Sequence, residues 1–296
     1  MDLPLLYQLQ HADFQTLEAA DFRVAVVDPD DSGLTAAEIG HLRDSQGKIL
    51  YAYCSIGEAE DYRAYWHQAW TASPPDFLLG ENPDWTGNFR VMFWDAAWQD
   101  IALARVDDVV AAGYDGIYLD IVDGYTVPEV IAAYPGSPAE LRQEMVDLVV
   151  AISARAKHAD PGFAIVPQNA LGLLSAEDAR PETGPNQPYL DAIDGIGVED
   201  LWYDGDEPAP WTAGDLELIA IAQQAGKFVL ATSYPTQPDR QRDFIEKAVA
   251  AGFIPFVADR ELTGVVDPGN AAIPDLMARQ GDSTFGTVYQ QLPTQR

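Results

Sequence analysis

The sequence has few cysteines, histidines and basic residues. Among its 296 residues is one cysteine, Cys54, so no disulfide can form within the chain. The four histidines, His11, His41, His67 and His158, show no metal-ligand spacing, and none follows a predicted strand, so a zinc site is not expected. Only 17 lysines and arginines stand against 47 aspartates and glutamates, a formal net charge of −30 at pH 7. Such a surface repels nucleic acid and anionic membranes, so neither is expected as a partner.

The sequence also lacks long apolar runs and the common cofactor motifs. No stretch approaches the roughly 20 apolar residues of a membrane span, and the first residues have no basic region followed by an apolar one, so no signal peptide is expected. No glycine-rich phosphate-binding loop follows a predicted strand, and no lysine follows one, which argues against nucleotide or Schiff-base chemistry. Residues 28–33 resemble the start of a calcium loop, but Ile39 stands where a glutamate is needed. We therefore expect no metal ion and no cofactor.

Eight apolar runs alternate with helical patterns along the chain. The runs predict strands at Arg23–Val27, Ile49–Ser55, Phe89–Trp94, Ile117–Leu119, Phe163–Pro167, Gly195–Val198, Phe228–Thr232 and Phe253–Ala258. Capping boxes at Thr35–Glu38 and Ser137–Glu140 predict two of the helix starts. Eight such units predict an α/β fold, a (β/α)8 TIM barrel formed as a single domain by residues 1–296, with an open doubly wound sheet as the alternative. The long loop 63–88 is expected to cover the top face of the barrel.

The stretch Gly113–Tyr125, GYDGIYLDIVDGY, shows how one of these units ends. Gly113 fits the left-handed position that closes a helix. Asp120 stands at the carboxyl end of the strand that follows, on the same face as Tyr118. Active sites of α/β barrels lie at the carboxyl ends of the strands, so Asp120 is a candidate catalytic carboxylate. A capping or loop-stabilising role is the alternative.

Other predicted strand ends, and the loops that follow them, carry acids, aromatic rings and amides. The acids are Asp28, Glu58, Glu60, Asp95, Asp123, Glu199 and Asp259; the rings are Tyr53, Tyr62, Trp94, Tyr125, Trp202, Tyr203 and Tyr234; the neutral polar residues are Gln168, Asn169 and Ser233. Acids move protons, rings stack on sugars and amides bind hydroxyls. The set predicts a saccharide site with Asp120 and Glu199 as its catalytic pair. The alternative is that chance placed these acids at strand ends and that the rings only fill the core.

Several motifs together resemble a known family. They are YAYCSIGEAEDYRAYW (51–66), VMFWDAAW (91–98), GYDGIYLDIVDGY (113–125) and GIGVEDLWYD (195–204), with Gln168 and Asn169 between the last two. In this order they resemble the endo-α-1,4-polygalactosaminidases of glycoside hydrolase family 114. The chain carries an insertion at 175–188 relative to that pattern, which we expect to lie over the top face.

The resemblance implies a (β/α)8 barrel that hydrolyses internal α-1,4 linkages of a galactosamine-containing polysaccharide. It assigns the acids that end the fourth and sixth strands, Asp120 and Glu199, as nucleophile and general acid/base. It also implies a secreted or periplasmic protein and, for deacetylated polymer, a cationic substrate. A retaining mechanism predicts carboxyl groups roughly 5–5.5 Å apart. The rivals are hydrolysis of another α-linked glycan and a barrel that binds saccharide without cleaving it; in the latter, the acids would lie apart or pair with Arg260.

Overall fold

The computed structural model describes residues 3–264 and 268–279. Within these ranges the strands, in chain order, are β1 (Leu3–Gln8), β2 (Phe22–Val27), β3 (Ile49–Ser55), β4 (Glu58–Glu60), β5 (Leu78–Glu81), β6 (Asn88–Val91), β7 (Gly116–Asp120), β8 (Ala164–Pro167), β9 (Gly195–Glu199), β10 (Tyr203–Asp204), β11 (Glu207–Pro208), β12 (Phe228–Ser233) and β13 (Ile254–Val257).

Helices lie between these strands and after the last of them. In chain order they are α1 (Phe14–Ala19), α2 (Pro29–Ser32), α3 (Ala36–Gly40), α4 (Ala96–Ala112), α5 (Pro128–Ala133), α6 (Pro138–Ala159), α7 (Gln187–Ala192), α8 (Thr212–Gln224), α9 (Pro238–Ala250) and α10 (Ile273–Arg279). Both predicted capping boxes are present, at the starts of α3 and α6, and Gly113 closes α4 with a φ of 93°. No helix in the described ranges is both long and apolar enough to cross a bilayer.

Eight parallel strands form the barrel. One sheet has the order β1-β2-β3-β7-β8, and another has the order β13-β12-β9. The sheets meet where Gln168 pairs with Gly197 beyond the end of β8, and where the Asp194 amide donates to the Ile165 carbonyl. On the other side β1 lies beside β13. The predicted (β/α)8 barrel is therefore confirmed.

Two of the strand predictions were wrong in detail. Phe89–Trp94 does not enter the barrel; instead β6 (Asn88–Val91) pairs antiparallel with β4 and β5 in a small separate sheet. The eighth barrel strand is β1 (Leu3–Gln8), which was not predicted. Eight barrel strands were predicted and eight are present, because β1 takes the place of Phe89–Trp94. Asp120 and Glu199 still end the fourth and sixth strands of the barrel.

Aromatic side chains fill the barrel interior. Tyr118 is buried and packs against Tyr7, with ring centroids 5.3 Å apart. Gly197, on the facing strand β9, leaves room for this ring, because a Cβ there would lie 1.8 Å from the Tyr118 hydroxyl oxygen. The interior is thus packed below the level at which the strands end, and the open space lies above it.

Candidate active site

A cavity of about 670 Å³ opens at the carboxyl ends of the barrel strands. Eleven of the eighteen residues predicted for the site line it: Asp28, Tyr53, Glu58, Glu60, Tyr62, Asp120, Asp123, Gln168, Asn169, Glu199 and Tyr234. They come from loops and strands far apart in sequence. The structure therefore brings acids, phenols and amides together in one space.

Asp120 lies at the end of β7 and is held by two donors. The Tyr53 hydroxyl, on neighbouring β3, donates to Asp120 Oδ2 over 2.6 Å, and the Ile121 amide donates to Oδ1 over 2.7 Å. Burial raises the pKa of Asp120 to about 7, and the negative charge of Glu199 adds to this rise, while the Tyr53 hydrogen bond opposes it. Since burial also raises the pKa of Tyr53, its hydroxyl stays a donor.

Glu199 lies at the end of β9 among three donors. Gln168 Nε2 and Asn169 Nδ2 donate to Glu199 Oε2, and the Tyr234 hydroxyl donates to Oε1. The two amides are oriented by their own carbonyl oxygens, because Gln168 accepts from Tyr7 and Asn169 accepts from the Glu199 backbone amide. Burial raises the pKa of Glu199, and the hydrogen bonds from Tyr234 and Gln168 oppose the rise. The carboxyl is thus fixed in orientation and shifted towards the protonated form.

The same backbone turn follows three of these strand ends. Ile121, Asn169 and Asp200, which come directly after Asp120, Gln168 and Glu199, all have positive φ, between 51° and 54°. Such values are uncommon outside glycine, and for a β-branched residue they mark strain. The sharp turn leaves the preceding side chain at the rim of the barrel.

The turn at Ile121 depends on a neighbouring glycine. A Cβ on Gly57 would lie 2.2 Å from the Ile121 carbonyl oxygen and 2.6 Å from its Cγ2. The loop after β3 therefore lies directly against the loop that begins at Asp120.

One wall of the cavity is built on Arg63, which was not predicted as a site residue. Its buried guanidinium pairs with Glu60 through Nε at 2.7 Å, and with Asp28 and Asp30 through Nη1 at 2.6 and 2.9 Å. Burial alone would lower the pKa of Arg63, but its bonds to Glu60 and Asp28 raise it overall. Arg105 pairs with Asp30 from outside. The acids of this wall are therefore held in place by a cation.

The small sheet formed by β4, β5 and β6 supplies the adjoining wall. Glu58, on β4, is buried, and its Oε1 accepts a hydrogen bond from Asn82 Nδ2 at 2.8 Å. Burial raises the pKa of Glu58. Trp85 and Asn88, in the turn that follows β5 and at the start of β6, also line the cavity. The predicted long loop 63–88 thus contributes to the site, whereas none of residues 175–188, all of which are described, lines the cavity.

Four predicted aromatic residues lie outside the cavity. Trp94 packs against Tyr134 with ring centroids 4.9 Å apart, and Trp202 packs on the buried rings of Phe244 and Phe253. The hydroxyls of two tyrosines are also engaged elsewhere, that of Tyr125 with Asp178 and that of Tyr203 with Asp243. These rings belong to the packing between the barrel and its loops.

Three predicted polar residues also lie outside it. Asp95 caps α4 by accepting from the Ala97 amide, and Asp259 accepts from Thr263. Ser233 is completely buried near the end of β12, beside Tyr234, whose ring does line the cavity. Asp95 therefore makes the contact of a helix cap, and Asp259 makes hydrogen bonds within its own loop.

The predictions missed several residues that line the cavity. They are Tyr7, Leu9, Gln10, Asp30, Asp31, Arg63, Trp85, Thr86, Asn88, Ile121, Arg260, Glu261 and Leu262. The strand-end pattern could have found Tyr7 and Gln10 had β1 been predicted. No group of three or more histidine, cysteine or acidic side chains within the described ranges is arranged to hold a metal ion.

Comparison with known proteins gives consistent results. The sequence profile of glycoside-hydrolase family GH114 matches residues 5–272. An uncharacterized protein of Deinococcus radiodurans is 39% identical over 255 residues, which cover 84% of this chain and 77% of that protein.

Two solved structures show the same fold. Ega3 of Aspergillus fumigatus, in complex with galactosamine, has a TM-score of 0.67 at 16% identity, over 90% of this chain and 94% of that chain. The glycoside hydrolase domain of PelA from Pseudomonas aeruginosa has a TM-score of 0.62 at 18% identity, over 90% of this chain and 97% of that chain.

Proposed function

We propose that this chain, which belongs to glycoside hydrolase family GH114, cleaves internal α-1,4 linkages of a galactosamine-containing polysaccharide. The observation that carries the proposal is the placement of Asp120 and Glu199 in one cavity, each with a raised pKa and each oriented by tyrosine and amide donors. Two carboxyls, one ionised and one protonated, are the minimal machinery for breaking a glycosidic bond.

The charge of the cavity supports a cationic substrate. Among the described residues, nine carboxyl groups line it: those of Asp28, Asp30, Asp31, Glu58, Glu60, Asp120, Asp123, Glu199 and Glu261. Of the basic side chains in the same part of the chain, two line it, and one of them, Arg63, is neutralised by its acidic partners. The negative electrostatic field of these carboxyl groups attracts a deacetylated amino sugar, which is cationic, and repels an acidic sugar. The binding of galactosamine by Ega3, which has the same fold, points the same way.

In the mechanism we propose, the two acids act in a double displacement. Glu199 protonates the leaving oxygen while Asp120 attacks the anomeric carbon, and Glu199 then activates the water that releases the product. The donors on Asp120 favour its carboxylate form, and the proximity of the two acids disfavours ionisation of both.

We also propose that the protein acts outside the cytoplasm, in secreted or periplasmic form, which cell fractionation would test.

The position of Arg260 favours hydrolysis over binding alone. The non-catalytic alternative predicted that this cation pairs with one of the two acids. Instead Arg260 pairs with Asp200 at 2.9 Å and lies over the ring of Tyr234, 4.2 Å from its centroid. Arg260 therefore does not pair with either acid of the proposed catalytic pair.

The test is release of reducing ends from three sets of oligomers: deacetylated α-1,4-galactosamine, its acetylated form and neutral α-linked glycans. Asp120→Asn and Glu199→Gln should each reduce the rate by at least about a thousandfold. The exposed Asp100→Asn and Glu217→Gln serve as isosteric controls that keep the wild-type rate. Absence of cleavage of galactosamine oligomers, or full activity in Glu199→Gln, would refute the proposal. Proton NMR of the first product decides the mechanism, since retention gives the α-anomer and inversion the β-anomer.

A further inference from the structure

Two exposed aromatic side chains lie on the wall of the cavity. Tyr62 is 59% exposed and Trp85 is 53% exposed, and both line the cavity. Within the described ranges only two other large hydrophobic side chains, Ile131 and Trp211, are comparably exposed, and both lie outside it. Single exposed apolar residues are ordinary on protein surfaces, but two at the edge of one acidic cavity are a candidate binding feature.

The backbone that carries Trp85 is fixed by hydrogen bonds. Trp85 lies in the turn between β5 and β6, where its amide donates to the Asn82 carbonyl at 3.2 Å and its carbonyl accepts from the Asn88 amide at 3.1 Å. The side chain of Asn82 in turn donates to the buried Glu58. An exposed indole on an anchored turn is preorganised, so its contact with a ligand loses little conformational entropy.

Tyr62 is held in place by its side-chain hydroxyl. Its hydroxyl donates to Glu60 Oε1 over 2.7 Å. The guanidinium carbon of Arg63 lies 5.1 Å from the centroid of the Tyr62 ring and 5.9 Å from that of Tyr53, the residue that holds Asp120. One guanidinium therefore separates Tyr62 from the residue that holds Asp120.

The two segments that carry these rings are joined directly. The Asp61 amide donates to the Gly87 carbonyl over 2.8 Å, so the residues next to Tyr62 and close to Trp85 form one continuous wall. The Trp85 indole N–H makes no hydrogen bond to any residue of the described chain, which leaves a donor available for a hydroxyl. An aromatic face with a free polar donor suits a pyranose ring, which has an apolar C–H face and a rim of hydroxyls.

We infer that Trp85 and Tyr62 form a distal subsite, which holds a pyranose ring of the bound polysaccharide away from the bond that is cleaved. The inference rests on the proposed function, because it takes the same polysaccharide as the ligand. Such a subsite would let the enzyme bind within a chain, since one sugar is held on the small sheet while another lies between Asp120 and Glu199.

The test compares Trp85→Ala with wild type on galactosamine oligomers of increasing length. We expect the KM for long oligomers to rise about tenfold with little change in kcat, and the loss to grow with chain length. Trp85→Phe, which keeps a ring, should recover most of the loss. Ile131→Ala, which removes an exposed apolar side chain outside the cavity, is the matched control. A loss that is independent of chain length, or equal in Trp85→Phe and Trp85→Ala, would overturn the subsite.

A binding measurement separates this inference from the proposed activity. In an Asp120→Asn background, calorimetry with long oligomers should show affinity about tenfold weaker when Trp85 is replaced by alanine. If wild type cleaves no oligomer but this difference in affinity persists, hydrolysis fails and the subsite stands. If wild type cleaves oligomers and the affinities are equal, the subsite fails and hydrolysis stands.

Discussion

Replacing Asp120 by asparagine is expected to stabilise the fold at neutral and alkaline pH. The pKa of this carboxyl rises from an ordinary 3.8 to about 7, chiefly because of burial. Between about pH 4 and pH 7 the folded protein therefore holds a proton that the unfolded chain has released. The free energy of unfolding must fall as pH rises through this window, since the folded state binds the extra proton. Asparagine does not titrate, so the free energy of unfolding of the variant does not fall in this way as pH rises.

The size of the effect follows from the shift and from the exposure of the side chain. For a fully shielded carboxyl, a rise in pKa from 3.8 to about 7 corresponds to about 4 kcal/mol. Asp120 is partly exposed to the open cavity, so solvent screening reduces this figure, and we expect about 1–2 kcal/mol above pH 7. The variant keeps both hydrogen bonds if its amide oxygen accepts from Ile121 and its Nδ2 donates to the oxygen of Tyr53.

The assay is urea unfolding of both proteins at several pH values between 4.5 and 8. The difference in free energy of unfolding should be smallest at pH 4.5, grow as pH rises and level off above pH 7. Asp100→Asn, an exposed substitution, should show no such dependence. A difference that stays flat with pH, or a variant less stable than wild type at pH 8, would refute the account of Asp120 as a carboxyl whose ionisation is disfavoured by its site.

Three further predictions concern packing, buried charge and the thiol. Gly197→Ala should lower stability by about 1–3 kcal/mol, because its Cβ meets the Tyr118 hydroxyl, and adding Tyr118→Phe should restore part of the loss in thermal unfolding. Arg63→Met should cost about 3–5 kcal/mol, because it leaves the carboxylates of Asp28 and Glu60 without their cation, whereas Asp30 keeps Arg105; a melting temperature equal to wild type would contradict this. Cys54 is buried and burial raises its pKa to about 11, so a thiol reagent should label it only after unfolding, and rapid labelling of the native protein would be the contrary result.

Most of the barrel could be predicted because each unit repeats the same local signals. A helix end, a glycine or small residue, an apolar run and a polar residue mark the strands that lead to Asp120, Ser233 and Asp259. Periodicity does not report which neighbour a strand pairs with, so Phe89–Trp94 looked like a barrel strand although β6 pairs antiparallel with β4 and β5. The first strand was missed because Pro4 lies within it and weakens its strand pattern.

The site predictions that placed residues in the cavity share one physical basis. The carboxyl ends of parallel strands converge, and this alone brings Asp120, Gln168 and Glu199 together. Trp94 and Asp95 were predicted from the end of a strand that does not belong to the barrel, and so they lie elsewhere. Arg63 could not be found in this way, because its partner Asp28 is 35 residues away and only the folded chain makes the pair.

The contact of Gly57 with Ile121 makes the two halves of the cavity thermodynamically dependent on each other. Gly57 leads directly into the strand that carries Glu58, and Ile121 directly follows Asp120. A shift of either loop must displace the other, because there is no free space between them. Substitutions on the small sheet and at Asp120 should therefore be non-additive in a double-mutant cycle, although their side chains do not bond to each other. The wall formed by the small sheet and the proposed catalytic carboxyl of Asp120 would thus have to change together for the proposed activity to move to a different substrate.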